Sequence, residues 1–295
     1  IGMGAFQTCL SLEELSLEDG KGIIKFGGNI PNVKNLYIGR NFTYTGYNEN
    51  RKSVFSENDN LEKVVTSMSV INIPDYAFYN CKKLKDVYLS DAVCTIGKYA
   101  FSGDLALASF EVGVSVKNIG AEAFSDCSGL LNFVSHSTIP AEVGTEALDD
   151  INKLECTLHV PQVAEIDYKK ADQWKDFWIE NDLPLRHKVI VSVDPKCEGM
   201  GTVSGSNGYN NGDIATLEAN TDEWHRFVEW SDGNKENPRT LTITDSLIIF
   251  AKFEYIYNIS SQPSENSISV SLNDSVPGVE YKWYSLDLKE DITSD

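Results

Sequence analysis

Apolar residues recur along the first half of the chain with spacings of 20 to 29 residues. The full copies share an Ala-Phe pair, at Ala5-Phe6, Ala77-Phe78, Ala100-Phe101 and Ala123-Phe124. Weaker copies contain Phe26, Val54-Phe55 and Ala147-Leu148. A unit of about 23 residues is too small to bury its own apolar face, so a period of this length predicts stacked units around one continuous core.

Further apolar positions follow the Phe at fixed distances. The position six residues later holds Leu12, Leu61, Leu84, Leu107, Leu130 and Leu154. The position nine residues later holds Leu15, Val64, Val87, Phe110 and Phe133, and in the Phe26 copy Leu36 and Ile38 come one residue late. Positions eight to eleven alternate between polar and apolar residues, which is the pattern of a short strand with one buried face. Each copy therefore predicts one strand of a parallel sheet, with the Phe inside the core.

The exposed side of these strands is the candidate binding surface, because positions eight and ten point away from the core. The candidate ligand-binding residues on it are Asn35, Tyr37, Lys63, Asp86, Tyr88, Ser109, Glu111 and Asn132. The two tyrosines are the expected anchors of a protein contact. An ordinary solvated sheet face remains the alternative, and the inserted loop Thr43 to Lys52, with Tyr44, Tyr47 and Arg51, is a rival site.

The repeated phrases "IGKYAFSGDLAL" and "IGAEAFSDCSGL" resemble the units of BspA-like leucine-rich repeats, and the resemblance covers roughly residues 1 to 160. It implies a bacterial cell-surface or secreted protein. Members of that branch include adhesins, so it also implies host or bacterial surface proteins as partners. The sequence begins inside the repeat pattern at Ile1-Gly2, and we expect a longer native gene with a secretion signal.

The end of the repeats predicts a cap over the open core. Pro161 ends the last strand, and the apolar residues that follow fall near helical spacing: Ile166, Ala171, Trp174, Phe177 and Trp178. We interpret them as a capping helix, which a solenoid needs at its end. A sugar-stacking platform formed by the two Trp and the Phe is the alternative.

Alternating strands separated by Gly, Asn and Asp predict a different architecture after the cap. Residues 187 to 254 contain "GTVSG", "GYNNGDIATLEA", "RFVEWSDG" and "AKFE", and resemble the divergent internalin B-repeat. The resemblance implies a small module of the β-grasp type, with Phe227 and Trp230 in its core. In the tail, "SISVSL" and "VEYKWYS" predict two strands joined by a turn at Pro277-Gly278. "YKWY" resembles a strand of an immunoglobulin-like sandwich, although 38 residues are too few for a whole one.

The fold prediction is therefore mainly β with little α structure. It comprises a leucine-rich-repeat solenoid with a helical cap over residues 1–186, a β module over 187–257, and the start of a third β domain over 258–295.

Three cysteines occupy one position of the repeat, three residues after the Phe: Cys9, Cys81 and Cys127. Asn58 and Asp104 fill it in other copies. Because rungs of a sheet are about 4.8 Å apart, Cys81 and Cys127 should be about 10 Å apart, which is too far for a disulfide. We expect the three thiols to be reduced and buried. Cys94, Cys156 and Cys197 have no evident partners.

The net charge of −19 argues against nucleic acid and anionic membrane surfaces as partners. No apolar run approaches the roughly 18 residues of a membrane span. The four histidines lack metal-ligand spacing, and no nucleophile or phosphate-loop motif occurs. We expect no catalytic residues, metal or cofactor, and a monomeric, non-enzymatic adhesion protein at the cell surface. A structural stalk and a carbohydrate-binding accessory protein are the alternatives.

Overall fold

The computed structural model describes residues 1, 5–6, 9, 11–28, 30, 32–44 and 53–256, and beyond them only the backbone of four strands. Two compact units are present. The first comprises Ile1–Ser192, Val203–Glu218 and Glu236–Ile249, and the second comprises Val193–Thr202, Ala219–Lys235 and Phe250–Asp295. The domain boundaries at 186/187 and 257/258 stay predictions.

The predicted strands of the repeats are confirmed as parallel neighbours. The first sheet contains, in order, β1 (Glu14–Leu17), β3 (Asn35–Ile38), β5 (Lys63–Thr66) and β7 (Asp86–Tyr88). The next sheet contains β9 (Ser109–Val112), β11 (Asn132–Ser135), β13 (Thr157–Pro161) and β14 (Trp178–Leu183). Equivalent positions pair one to one, as Leu36 does with Val64, so each unit stacks on the next in the register of the sequence repeat.

Each middle unit also gives two residues to another parallel sheet. Its strands are β6 (Asn72–Ile73), β8 (Thr95–Ile96), β10 (Asn118–Ile119) and β12 (Glu142–Val143). Nearer the N-terminus, β2 (Ile24–Phe26) pairs in parallel with β4 (Phe42–Tyr44). Gly97 follows β8, and a Cβ at this position would lie 2.4 Å from the backbone N of Asp75. The Ile-Gly pair of the repeat is therefore required by the close approach of neighbouring units.

A ladder of Phe rings fills the core. The rings of Phe78 and Phe101 are 5.3 Å apart, and those of Phe101 and Phe124 are 5.6 Å apart and nearly parallel. All three are fully buried, as the repeat predicted. Leu154 was predicted in the core but is 96% exposed. The strand that follows it begins one residue later than in the other units, and Cys156 is buried instead.

The shared cysteine position behaves as predicted inside the solenoid and differently at its end. Cys81 and Cys127 are buried free thiols, and each donates a hydrogen bond to a Phe carbonyl, of Phe55 and Phe101 respectively, at 3.1 Å. Cys9 is exposed, so the prediction of burial is wrong there. All six cysteines, which fall within the described residues, are free.

The cap is confirmed, but it is not one helix. It consists of α1 (Glu165–Tyr168) and two 3-10 turns, Gln162–Ala164 and Trp174–Asp176. Tyr168, Trp174 and Phe177 are buried, and Trp174 lies edge-on to the ring of Phe133 at 5.3 Å. Ile166 and Trp178 were placed on the buried face and are about two-thirds exposed. The chain turns too often here for a helical spacing to continue from one residue to the next.

The following segment is built from antiparallel strand pairs, which confirms that the predicted module consists of β-strands. Its strands are β15 (Arg186–Val193), β16 (Thr202–Ser204), β17 (Asn207–Asn210), β18 (Ile214–Asn220), β19 (His225–Trp230), β20 (Arg239–Thr242) and β21 (Leu247–Tyr255), with a 3-10 turn at Pro195–Cys197. β15 pairs with β17, β18 with β20, and β19 with β21. In the second unit, Trp230 is fully buried and its ring centroid lies 5.2 Å from that of Phe227, which confirms that these aromatics pack internally.

The tail contains two antiparallel pairs. β22 (Ile259–Ser264) pairs with β23 (Ser267–Leu272), and β24 (Trp283–Tyr284) pairs with β25 (Asp291–Ile292). β23 coincides with the first predicted strand, and β24 forms only Trp283–Tyr284 of the second. The predicted turn at Pro277-Gly278 lies outside the described residues.

Candidate functional site

The strand register aligns the candidate residues in rows across the exposed face. In the first sheet, Asn35 pairs with Lys63 and Lys63 with Asp86. The next row contains Tyr37, Val65 and Tyr88. In the other sheet, Ser109 pairs with Asn132, and Glu111 pairs with Val134. The face therefore has an N-terminal group of five candidates and a C-terminal group of three.

Four side chains of the N-terminal group contact one another or a neighbouring carboxylate. Asn35 Nδ2 donates to Glu14 at 3.5 Å. Tyr88 is 55% exposed, and the ammonium of Lys63 lies 5.4 Å from its ring centroid. The hydroxyl of Tyr37 donates a 2.9 Å hydrogen bond to Asp19. Partial burial, followed by this hydrogen bond to a carboxylate, raises the pKa of Tyr37. The N-terminal group thus offers one exposed ring, one positioned cation and one phenol with a fixed direction.

A shallow groove of about 310 Å³ lies along this group. Its lining includes Glu14, Ser16, Asn35, Tyr37, Lys63 and Val65. The lining of a second groove, of about 610 Å³, includes Tyr37, Tyr88, Ser204, Ser206 and Asn207. All of these residues belong to the first unit. The lining is mixed in polarity and carries charges of both signs, as protein-contact surfaces do.

Glu111 already has partners within the chain. Its Oε1 lies 3.0 Å from Nη1 of Arg186 and 2.8 Å from Nε2 of His136. Arg186 Nε also lies 2.9 Å from Oδ2 of Asp91, whose side chain is only 1% exposed. The His136 hydrogen bond is the largest cause of a lowered pKa of Glu111, and Arg186 lowers it further. We name Asp91, Glu111, His136 and Arg186 the ion cluster. These contacts fix the position of the Glu111 carboxylate, although its side chain is 48% exposed.

The C-terminal group ends at an aromatic residue that the sequence analysis did not assign to this face. Asn132 pairs with Thr157, and Thr157 pairs with Trp178. Trp178 is 66% exposed, and its Nε1 donates to Glu180 at 2.7 Å. Asn132 Oδ1 lies 3.3 Å from Nε2 of His159. The helical interpretation of residues 166–178 concealed that Trp178 begins another strand of the same face.

The ion cluster was also missed, because its four residues are far apart in the sequence. The run Arg186-His187-Lys188 in a strongly acidic chain was the available signal. Residues 45–52 of the rival loop lie outside the described residues. The binding role of this loop stays a prediction. In the described part of the chain, no three His, Cys, Asp or Glu side chains converge as metal ligands. Nor does any helix there have the length and hydropathy needed to cross a bilayer.

Comparison with known protein families identifies the repeat that forms this strand face. The model of the BspA-type leucine-rich repeat region matches in six copies over residues 1–130 and 48–169, which is more than half of the chain. The chain belongs to the BspA-type leucine-rich repeat family. Proteins with these repeats are non-enzymatic scaffolds and are typically at the bacterial surface or secreted. The divergent InlB B-repeat domain matches residues 191–257, so the chain carries that second module as well.

Among solved structures, a leucine-rich repeat protein from Bacteroides ovatus is similar to this chain at 19% identity and a TM-score of 0.43. The match covers 58% of this chain and 42% of that chain. No curated protein matches the chain.

Proposed function

We propose that this chain is a non-enzymatic bacterial surface protein that binds another protein through the exposed strand face of its solenoid. The N-terminal group carries the proposal, because Tyr88 is exposed beside Lys63 and a groove lies along Asn35 and Tyr37. Tyrosine supplies a large and rigid contact area at low entropic cost, with a polar end for a hydrogen bond. The partner class is a host or bacterial surface protein.

The charges of the face restrict which partner surface fits. Lys63 lies between Asn35 and Asp86 in one row, and Lys34 and Lys85 both pair with Glu62 at 3.4 and 3.1 Å. A partner with mixed charge is therefore favoured over a strongly acidic one, which the net charge of −19 would repel. Across such a surface, buried aromatic anchors provide most of the affinity and rim charges provide orientation.

The test measures binding of the full chain to a panel of purified host-matrix and bacterial surface proteins by biolayer interferometry. For any partner found, Tyr37→Ala and Tyr88→Ala should each raise Kd about tenfold. Trp178→Ala tests the C-terminal group in the same way. Leu154→Ala is the matched control, because Leu154 is 96% exposed and lies outside the strands.

The pattern of losses distinguishes the sites. Loss with the tyrosine variants alone places the contact on the N-terminal group. Binding that survives both tyrosine substitutions and disappears when residues 45–52 are deleted assigns the contact to the rival loop. A panel without a protein partner, together with binding on a glycan array, replaces the proposal with the carbohydrate-binding alternative.

A further inference from the structure

A cavity of about 400 Å³ in the first unit has a lining unlike the rest of the chain. Its basic and imidazole side chains are Lys117, His136, Arg186, His187 and Lys188. Hydroxyl groups come from Ser115, Thr138 and Ser246. No carboxylate belongs to this lining, although the chain has 44 acidic residues against 25 basic ones. A cavity with so many donors and no acid is chemically suited to an anion.

Two of the cations in this lining are not neutralised by the protein. Arg186 lies against Asp91 and Glu111, so its charge is already balanced. Lys188 Nζ donates to the hydroxyl of Ser115 at 2.9 Å. Among residues 53–256, neither Lys117 nor Lys188 has a carboxylate within 4.0 Å. Both ammonium groups therefore keep donors for a ligand.

A buried nitrogen adds an independent observation. The His136 side chain is 9% exposed, and its Nε2 is held by Glu111. Its Nδ1 is buried and has no hydrogen-bond partner in the described protein. A buried polar atom without a partner costs free energy, and a bound group or an ordered water commonly satisfies it. His136 belongs to the lining of the cavity. Because its Nε2–H donates to the Glu111 carboxylate, Nδ1 of the neutral ring accepts a hydrogen bond, which the hydroxyl of hydrogen phosphate or of a group esterified to the anion can donate.

We propose that this cavity binds a tetrahedral oxyanion, either free sulfate or phosphate or the same group as an ester. A carboxylate is best recognised by the planar fork of an arginine. Here the Asp91 and Glu111 carboxylates contact that fork. What remains are ammonium and hydroxyl donors from separate strands and loops, which suit an anion that accepts hydrogen bonds in several directions. The volume also leaves space for a small group attached to the anion.

The first experiment is isothermal titration calorimetry of the full chain with sodium sulfate and with sodium phosphate. Sodium chloride holds the ionic strength constant. We expect saturable binding of one anion in the millimolar range. The double variant Lys117→Gln/Lys188→Gln should weaken it at least tenfold. Lys82→Gln/Lys83→Gln is the control, because it removes the same charge from two exposed lysines elsewhere on the solenoid.

Glucose 6-sulfate and glucose 6-phosphate distinguish the source of the anion. Binding at least tenfold tighter than that of the inorganic ions identifies an ester, and equal binding identifies the free ion. Sodium acetate that binds as tightly as sulfate overturns the tetrahedral assignment. Unchanged binding by the double variant, equal weakening by the control variant, or no saturable binding by the native chain overturns the site. If the double variant loses its native circular dichroism, Lys117→Gln alone decides, since Lys117 is exposed.

Discussion

Arg186 Nε lies 2.9 Å from Oδ2 of Asp91, a carboxylate whose side chain is 1% exposed. The other oxygen of Asp91 accepts a 2.9 Å hydrogen bond from the backbone N–H of Val114. A buried carboxylate with these two partners is tolerated only while the cation remains, because a charge without a counter-ion in the interior is costly.

Removing the cation should therefore destabilise the protein. We expect Arg186→Met to lower the free energy of unfolding by about 3 kcal/mol, the lower end of the range for a buried pair, because Arg186 keeps 23% exposure. Urea unfolding followed by circular dichroism measures it. Lys85→Met is the control and should lower the stability much less, since Lys85 is 55% exposed in its pair with Glu62.

The double variant Arg186→Met/Asp91→Asn distinguishes the loss of the ion-pair contact from the cost of an unpaired buried charge. It should regain at least half of the unfolding free energy that Arg186→Met loses. A single variant as stable as the native protein contradicts the role given to this ion pair.

Gly208 limits the same contact sterically. A Cβ at this position would lie 1.3 Å from Oδ2 of Asp91 and 2.6 Å from Nε of Arg186. Gly208→Ala should therefore displace the pair and cost about 1 to 3 kcal/mol, as overpacking does. Gly22→Ala is the matched control, because no atom lies within 4 Å of its Cβ position. The melting temperature of Gly208→Ala should be lower than that of Gly22→Ala. Equal melting temperatures would count against close packing at Gly208.

Asp104 is fully buried, and its Oδ1 accepts a 2.8 Å hydrogen bond from the backbone N–H of Cys81. Burial raises its pKa well above the ordinary value. The native state therefore keeps a proton that the unfolded chain loses above about pH 3.9. Stability should fall as the pH rises from there to the native pKa of Asp104, because the unfolded state binds fewer protons in that window.

Asp104→Asn should remove this dependence and raise the stability at neutral pH. An amide fits the same position of the repeat, where Asn58 donates to the carbonyl of Val33 at 2.9 Å. Urea unfolding over a pH series measures the effect, with the exposed Asp59→Asn as the control. A variant that is less stable than the native protein at neutral pH would show that the carboxylate is ionised and useful there.

The thiols should differ sharply in reactivity. Burial raises the pKa of Cys81 and Cys127, and raises that of Cys156 to about 11, whereas Cys9 is exposed. The thiolate is the reactive form, so native labelling with a thiol reagent should modify Cys9 first and leave these three unmodified. Peptide mass spectrometry locates the labels, and labelling in denaturant shows that all six thiols can react. Fast native labelling of Cys81 would contradict its position in the core.

The repeated part of the structure could be predicted because the same packing problem recurs in each unit. Phe101 meets Phe78 and Phe124 in the same way, so a period in the sequence becomes a period in space. The contact between Asp91 and Arg186 occurs once and joins distant parts of the sequence, so no repeat predicts it. The N-terminal group of the candidate face followed from strand alternation. The place of Trp178 on this face was not predicted. Apolar residues three and four positions apart indicated a helix, but the same spacing also occurs in a short 3-10 turn followed by a strand.

The residue-to-residue pairing of neighbouring units has a genetic consequence. Phe78, Phe101 and Phe124 are each 23 residues apart, and each unit packs mainly on its two neighbours. Unequal recombination between the corresponding gene segments removes or duplicates one complete period. The resulting chain brings together two surfaces that already fit, so the number of units can change between strains without any new core having to evolve. A deletion whose ends do not fall on equivalent positions would instead join core surfaces that do not match.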